Sequence, residues 1–193
     1  MKNVMSPFWV WKEELPPQIC NYIIKKSDNL EEDKWTRGIA GSDNQDNKDS
    51  RKSDVQFWSK ASTSGRWCNG ICFSYIINAN NCNFGYDLSL NDEEQMQVCR
   101  YVEGQFYDKH TDWGSTRKMC TRKLTASIQL SDEKDYEGGD LVLDLGLDGE
   151  YRCPKSQGTV LVFDSRIIHW VEPVTSGVRY SMQKWVRGDR PLR

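Results

Sequence analysis

The stretch DLVLDLGLDGEYRCPKSQGTVLVFDSRIIHWVEPVTSGVRYSMQKWV, residues 140–186, carries the clearest structural signal in this chain. Four short runs rich in Val, Ile, Leu and aromatics stand in it: DLVLDL (140–145), TVLVF (159–163), IIHWVEPV (167–174) and VRYSMQKWV (178–186). Between them lie GLDGE, CPKSQG and TSG, clusters of the residues that turn a chain. Runs this short, cut by turns, read as strands. Working toward the N-terminus, RKLTASIQL (122–130), EQMQVCRYV (94–102) and NFGYDLSL (83–90) have the same texture. Many short strands without intervening helices predict a mostly β (α+β) domain, an antiparallel sandwich or barrel with helices toward its N-terminal side.

Further out the character changes. FWVW (8–11) predicts one more strand. In LPPQICNYIIKKSDNL, Pro16 and Pro17 suit a helix start, and Ile19, Tyr22, Ile23 and Lys26 share a face at helical spacing. GIAGSDNQDNKDSRKSD (38–54) has almost no apolar residue, which predicts a mobile surface loop, either a tolerated insertion or a lid over a site. The expected organisation is a single domain, 1–193. A supporting layer (1–100) of helices and strands carries the 38–54 loop, and a strand-rich core fills 101–187.

Composition narrows the function. A chain of 193 residues can bury one substantial core. A net charge of -2 argues against a nucleic-acid partner, which calls for a basic excess. No apolar run approaches the roughly 20 residues of a membrane span, and the first residues lack the apolar core of a signal peptide. A cytoplasmic protein without a membrane partner is expected. The seven cysteines then read as free thiols, and Cys68 and Cys72 in CNGIC as buried ones rather than a zinc pair.

There are only two histidines, His110 and His169, so any imidazole chemistry must use them. In the HTD of residues 110–112, strand geometry points His110 and Asp112 to one face. His169 sits in a separate predicted strand. Two imidazoles and one carboxylate on one side of a metal leave its other positions open, the arrangement of non-heme Fe(II) oxygenases. Two unrelated histidines fit the spacing as well. Arg179 adds a second feature, on the strand after His169 and sharing a face with Ser181, Gln183 and Trp185. A guanidinium inside a barrel is costly unless an anion pairs with it, and its planar fork matches a carboxylate.

These residues carry a family resemblance. YVEGQFYDKHTDW (101–113), RKLTASIQLSDEKDYEGGDL (122–141) and GTVLVFDSRIIHWVEPVTSGVRYSMQKWV (158–186) resemble, in order, the motif blocks of prolyl 4-hydroxylases and PKHD-type hydroxylases, within the Fe(II)/2-oxoglutarate dioxygenases. RKSDVQFW (51–58) is similar to an Arg-x-Ser segment near their substrate groove. The resemblance implies a double-stranded β-helix (jelly-roll, cupin-like) core. It implies that His110, Asp112 and His169 bind catalytic Fe(II), and that Arg179, with Tyr101 and Ser181, holds 2-oxoglutarate. O2 would be the second co-substrate and ascorbate a reductant. The reaction would hydroxylate a C–H bond, with a prolyl or similar side chain of a peptide or protein as leading target and release of succinate and CO2. Arg122, Trp185, Arg187 and Arg51 would line the substrate site. Arg122 stays open between a substrate contact and a capping ion pair; by strand parity it shares a face with Leu124, Ala126, Ile128 and Leu130, read as the inward one. Two departures bear on proline: Leu141 replaces a small hydroxyl residue after Gly138-Gly139-Asp140, and Arg187 stands where a substrate-contacting His can occur. Hydroxylation of a free amino acid or small molecule is one alternative, and a non-catalytic cupin-like module with a structural zinc is another.

Overall fold

The computed structural model describes residues 6–29, 35–38, 50–89, 94–114, 116 and 119–188. Two antiparallel sheets face each other. The larger runs in the order β1 (Phe8–Trp11), β11 (Val160–Asp164), β7 (Arg122–Gln129), β13 (Val174–Arg187), β5 (Met96–Val102), β4 (Asp54–Trp58) and β2 (Thr36–Arg37), with β8 (Tyr136–Gly138) paired to the start of β13. The smaller runs β10 (Glu150–Arg152), β9 (Leu141–Asp144), β12 (His169–Val171), β6 (Phe106–His110) and β3 (Arg51–Lys52). This is the double-stranded β-helix, mostly β, with α1 (Pro17–Asn29) and α2 (Thr63–Ala79) packed on the outside of the larger sheet.

The alternation along β7 explains that layering. Leu124, Ala126 and Ile128 are fully buried against the helices, while Thr125, Ser127 and Gln129 point between the sheets. The pattern repeats across strands: Met182 of β13 lies between Val98 of β5 and Ile128 of β7 on the helix side. Ser181 lies between Cys99 and Gln129 on the inner side. Because helices cover the outer face, the apolar residues of β7 belong there and its polar ones face the interior, where Leu161 and Phe163 of β11 supply apolar surface beside them. Ile128 packs with Cys68, Cys72, Met96 and Val98. Ile128→Ala is expected to lower unfolding free energy by about 2–5 kcal/mol, the usual cost of truncating a buried aliphatic side chain; a chemical-denaturation difference below about 1 kcal/mol would contradict this packing.

Several expectations are corrected. The segment 83–90 forms no strand over its described residues; a π-helical turn, Asn80–Phe84, ends α2 and extended chain follows. The end of the expected 38–54 loop is ordered, with β3 at Arg51–Lys52 and β4 from Asp54; residues 39–49 lie outside the described part. On α1 the buried face is Cys20, Ile23 and Ser27, whereas Tyr22 is exposed. Cys20 forms part of the stripe because its thiol packs under the sheet. The N-terminal strands extend both sheets: β1 pairs with β11, β4 with β5 and β3 with β6.

Helix α2 buries Gly65, Cys68, Asn69, Cys72, Ile76 and Ala79, a stripe at helical spacing made largely of small residues. Ser62 caps it by accepting the Gly65 amide. Burial pushes the Cys68 thiol up to about 12, and Cys72 is raised by the same cause. All seven cysteines are free. No helix of the described residues is long and apolar enough to cross a membrane.

Candidate active site

The strand pairing brings the two histidines together. In the β6–β12 ladder His110 is the direct partner of His169, so both imidazoles leave the sheet on the same side, ring centres 4.2 Å apart. Asp112 reaches them differently from the strand-parity expectation. Strand β6 ends at His110, and the chain then turns toward the larger sheet, where the Trp113 amide donates to the Ser165 carbonyl at 2.9 Å. That turn sets the Asp112 carboxylate 3.9 Å from His110 Nε2 and 3.5 Å from His169 Nε2. One ligand atom from each residue lies within 4.8 Å of the others.

Each group is held in a ligand-ready form. His110 Nδ1 lies 2.8 Å from the Asp108 carbonyl and His169 Nδ1 3.0 Å from the Ile167 carbonyl. A carbonyl only accepts, so both Nδ1 atoms carry a proton and both Nε2 atoms face the shared centre. Burial, then the neighbouring His169 imidazole, lowers the His110 pKa to about 3, which keeps the ring neutral. Burial works to raise the Asp112 carboxyl, but its surroundings, including the Arg122 guanidinium and the Thr125 hydroxyl, hold it below the ordinary range. Thr125 Oγ1 donates to Asp112 Oδ2 at 2.7 Å and also meets Ser165 Oγ at 3.1 Å, which fixes the carboxylate. Tyr107 stacks on His110 at 3.6 Å and Phe163 meets His169 edge-on at 4.8 Å. Two imidazole nitrogens and one carboxylate oxygen, converging at the wall of an open cleft, suit a divalent transition metal with free positions.

The cleft has a volume of about 930 Å³. Arg179 lines it from β13, directly across the ladder from Tyr101 of β5. It is 3 % exposed, and its Nη1 donates to Ser181 Oγ at 3.3 Å. Among the described residues its Nε proton has no acceptor, and its guanidinium carbon lies 5.5 Å from the centre of the Tyr101 ring. Among the described residues no carboxylate pairs with it. Burial pushes the Tyr101 hydroxyl well above the usual phenol range, so it stays a proton donor. Gly139 (φ 62°) lets the chain pass close to Arg179: a Cβ there would lie 2.9 Å from Val174 Cγ2 and 3.1 Å from Arg179 Cδ. Leu141 adds an apolar wall.

The other expected site residues fall at the mouth. Trp185 carries the Arg122 guanidinium over its ring at 4.5 Å. Arg122 ion-pairs with Glu94 and donates to the Asp112 carbonyl at 3.1 Å, and Arg187 Nε donates to the same Glu94 at 3.0 Å. The face expected for Arg122 is overturned. Val186 pairs with Leu124 but Arg187 with Arg122, so a bulge beside Lys123 reverses the alternation. Arg122 therefore faces the cleft with Thr125 and Ser127, on the side opposite Leu124. Arg51 is also buried in the cleft wall.

Sequence reasoning missed Glu94, Thr125, Gln97, Cys99 and Tyr107. The alternation of β7 could have exposed Thr125, had the apolar set been assigned to the helix-covered face.

Residues 96–187 match the model of the 2OG-Fe(II) oxygenase superfamily. Over 93 residues the chain is 33% identical to a PKHD-type hydroxylase of Idiomarina loihiensis, covering 48% of this chain and 42% of the relative. Over 92 residues it is 39% identical to a PKHD-type hydroxylase of Maricaulis maris, covering 47% and 40%. The matched stretch thus spans about two-fifths of the length of these relatives. Among solved structures, a Pseudomonas putida prolyl-4-hydroxylase superposes with a TM-score of 0.74 at 18% identity, covering 96% of this chain and 95% of that one. A prolyl hydroxylase from Trichoplax adhaerens, in complex with a hypoxia inducible factor oxygen degradation domain peptide fragment, gives 0.77 at 19% identity, covering 96% and 85%. Residues 96–187 of this chain are thus similar to the 2OG-Fe(II) oxygenase superfamily, and the fold is the double-stranded β-helix shared with these solved prolyl hydroxylases.

Proposed function

We propose that this chain is a 2-oxoglutarate-dependent dioxygenase that hydroxylates a C–H bond, with a prolyl or similar side chain in a peptide as its target. In this reading His110, Asp112 and His169 hold Fe(II), and the metal, 2-oxoglutarate and O2 supply the oxidising chemistry, with succinate and CO2 as co-products and ascorbate as a supporting reductant. The protein supplies the rest. The two backbone carbonyls keep both imidazoles in the metal-binding tautomer, and Thr125 orients the aspartate. Arg179 takes the far carboxylate of the co-substrate in a two-pronged ion pair, with Ser181 steadying the guanidinium and Tyr101 a further donor. The Leu141 wall keeps that end dry, which strengthens the pair.

The observation that carries this reading is the buried Arg179, whose charge has no carboxylate partner among the described residues, in the same cleft as the His-Asp-His cluster. A structural zinc module would have no use for such a cation. The peptide substrate draws support from the prolyl hydroxylase fold, one neighbour of which is in complex with a peptide fragment. The test is incubation of the Fe(II)-loaded protein with 2-oxoglutarate, ascorbate, air and a proline-rich peptide set. Succinate and peptides heavier by one oxygen atom are expected; succinate without any modified peptide would remove the peptide substrate and leave the dioxygenase.

A further inference from the structure

Arg51 stands on β3, at the edge of the smaller sheet opposite Tyr107, and its side chain reaches across the cleft to the larger sheet. It is 6 % exposed. Its Nε donates to Ser53 Oγ at 2.8 Å, and its Nη2 to Gln97 Oε1 at 3.2 Å and Cys99 Sγ at 3.4 Å. The guanidinium carbon lies 4.4 Å from the centre of the Tyr107 ring, the same ring that stacks on His110. Every one of these partners is uncharged, since burial keeps the Cys99 thiol and the Tyr107 hydroxyl protonated. Among the described residues no carboxylate lies within ion-pair distance of Arg51, and Nη1, which carries two protons, has no partner.

The charge count of the cleft points the same way. Its lining contains Arg51, Arg122, Arg179 and Arg187 against Asp112 and Glu94, an excess of two positive charges over the described residues. A divalent metal and the dianion 2-oxoglutarate cancel each other and leave that excess in place. Glu94 is shared by Arg122 and Arg187 at the mouth. Arg179 is assigned to the co-substrate, so Arg51 is the buried cation still waiting for an anion. A buried guanidinium held only by neutral groups is costly, and a carboxylate offered by a ligand removes that cost through a charge-assisted pair.

We infer that Arg51 binds a carboxylate of the primary substrate, so that the site takes a carboxylate-bearing substrate and rejects its uncharged counterpart. The inference rests on the dioxygenase reading above, because it needs Arg179 to be occupied by 2-oxoglutarate. The carboxylate can be the α-carboxylate of a free amino acid, the C-terminus of a peptide, or an acidic side chain beside the target residue.

The experiment uses the full chain loaded with Mn(II) and 2-oxoglutarate without O2, so that binding is read without turnover. Matched ligands are titrated by calorimetry: proline and prolinamide, proline-terminated peptides with free and amidated C-termini, and proline peptides with Asp or Asn at the neighbouring position. The carboxylate member of at least one pair is expected to bind about 10- to 100-fold more tightly, the worth of a hydrogen-bonded charge contact, and the pair that responds identifies the source. Arg51→Gln is expected to abolish that preference while 2-oxoglutarate affinity stays within about threefold; Arg51→Lys, which keeps charge but not the fork, should restore part of it. Equal affinity within all three pairs in the wild-type protein would overturn the inference, and needs no variant to fold. Loss of affinity for both members of a pair in Arg51→Gln would assign the residue to holding the sheets together instead. Failure of 2-oxoglutarate itself to bind would sink the dioxygenase reading along with this one.

Discussion

Arg179→Met should bind 2-oxoglutarate about 30- to 1000-fold more weakly than the wild type and unfold no more easily in its metal-free form. The two halves have one cause. The guanidinium is 3 % exposed, its hydrogen-bond partners, Ser181 among them, are neutral, and its Nε proton has no acceptor among the described residues. Replacing a buried, poorly compensated charge by an apolar side chain of similar length is commonly neutral or stabilising. With a carboxylate in place the balance reverses, because losing one side of a buried charge pair costs about 2–4 kcal/mol or more. The affinity is read from the visible charge-transfer band of the anaerobic Fe(II) protein and the stability from thermal unfolding of the apoprotein. A variant that binds 2-oxoglutarate normally would show that the co-substrate lies elsewhere. One that unfolds several degrees earlier with unchanged affinity would make Arg179 a structural cation.

Asp112→Asn should weaken metal binding more than any change outside the His-Asp-His cluster, and Thr125→Val should weaken it by about 10- to 100-fold, the usual effect of removing an outer partner of a metal ligand. The asparagine keeps the shape of the side chain but removes the only negative charge among the three donors. The valine leaves the carboxylate in place and takes away the 2.7 Å hydrogen bond that orients it. Co(II), whose visible spectrum reports coordination, serves as the probe in both titrations. Equal Co(II) affinity in wild type and Asp112→Asn would mean that the three residues hold no metal. A Thr125→Val affinity equal to wild type would mean that the hydroxyl contributes packing rather than orientation.

Much of the site was legible along the chain because its elements are local. HTD fixes His110 and Asp112 two residues apart, and the run IIHWV gives His169 a strand. Antiparallel pairing then makes it natural for two such strands to sit side by side. The inward face of β13 was also legible, since Arg179, Ser181 and Trp185 follow a period of two without interruption, and all three are buried. Helix α2 was not legible: apart from Ile76, its buried stripe of Gly65, Cys68, Asn69, Cys72 and Ala79 is small and partly polar, so apolar periodicity marks it only weakly.

The sequence by itself determined the strand-rich architecture, the candidate donor set of two imidazoles and one carboxylate, and the guanidinium on the strand that follows. These depend on residue type and on the period of the backbone, which are written into consecutive positions. Only the tertiary structure decided which face of β7 is the inside, because that turns on which side the helices cover, and a single bulge beside Lys123 then reversed Arg122. It alone brought Glu94 to Arg187, 93 residues away, and Arg51 to Gln97, 46 residues away. Such contacts follow from how two sheets close on each other, and spacing along the chain carries no record of that closure.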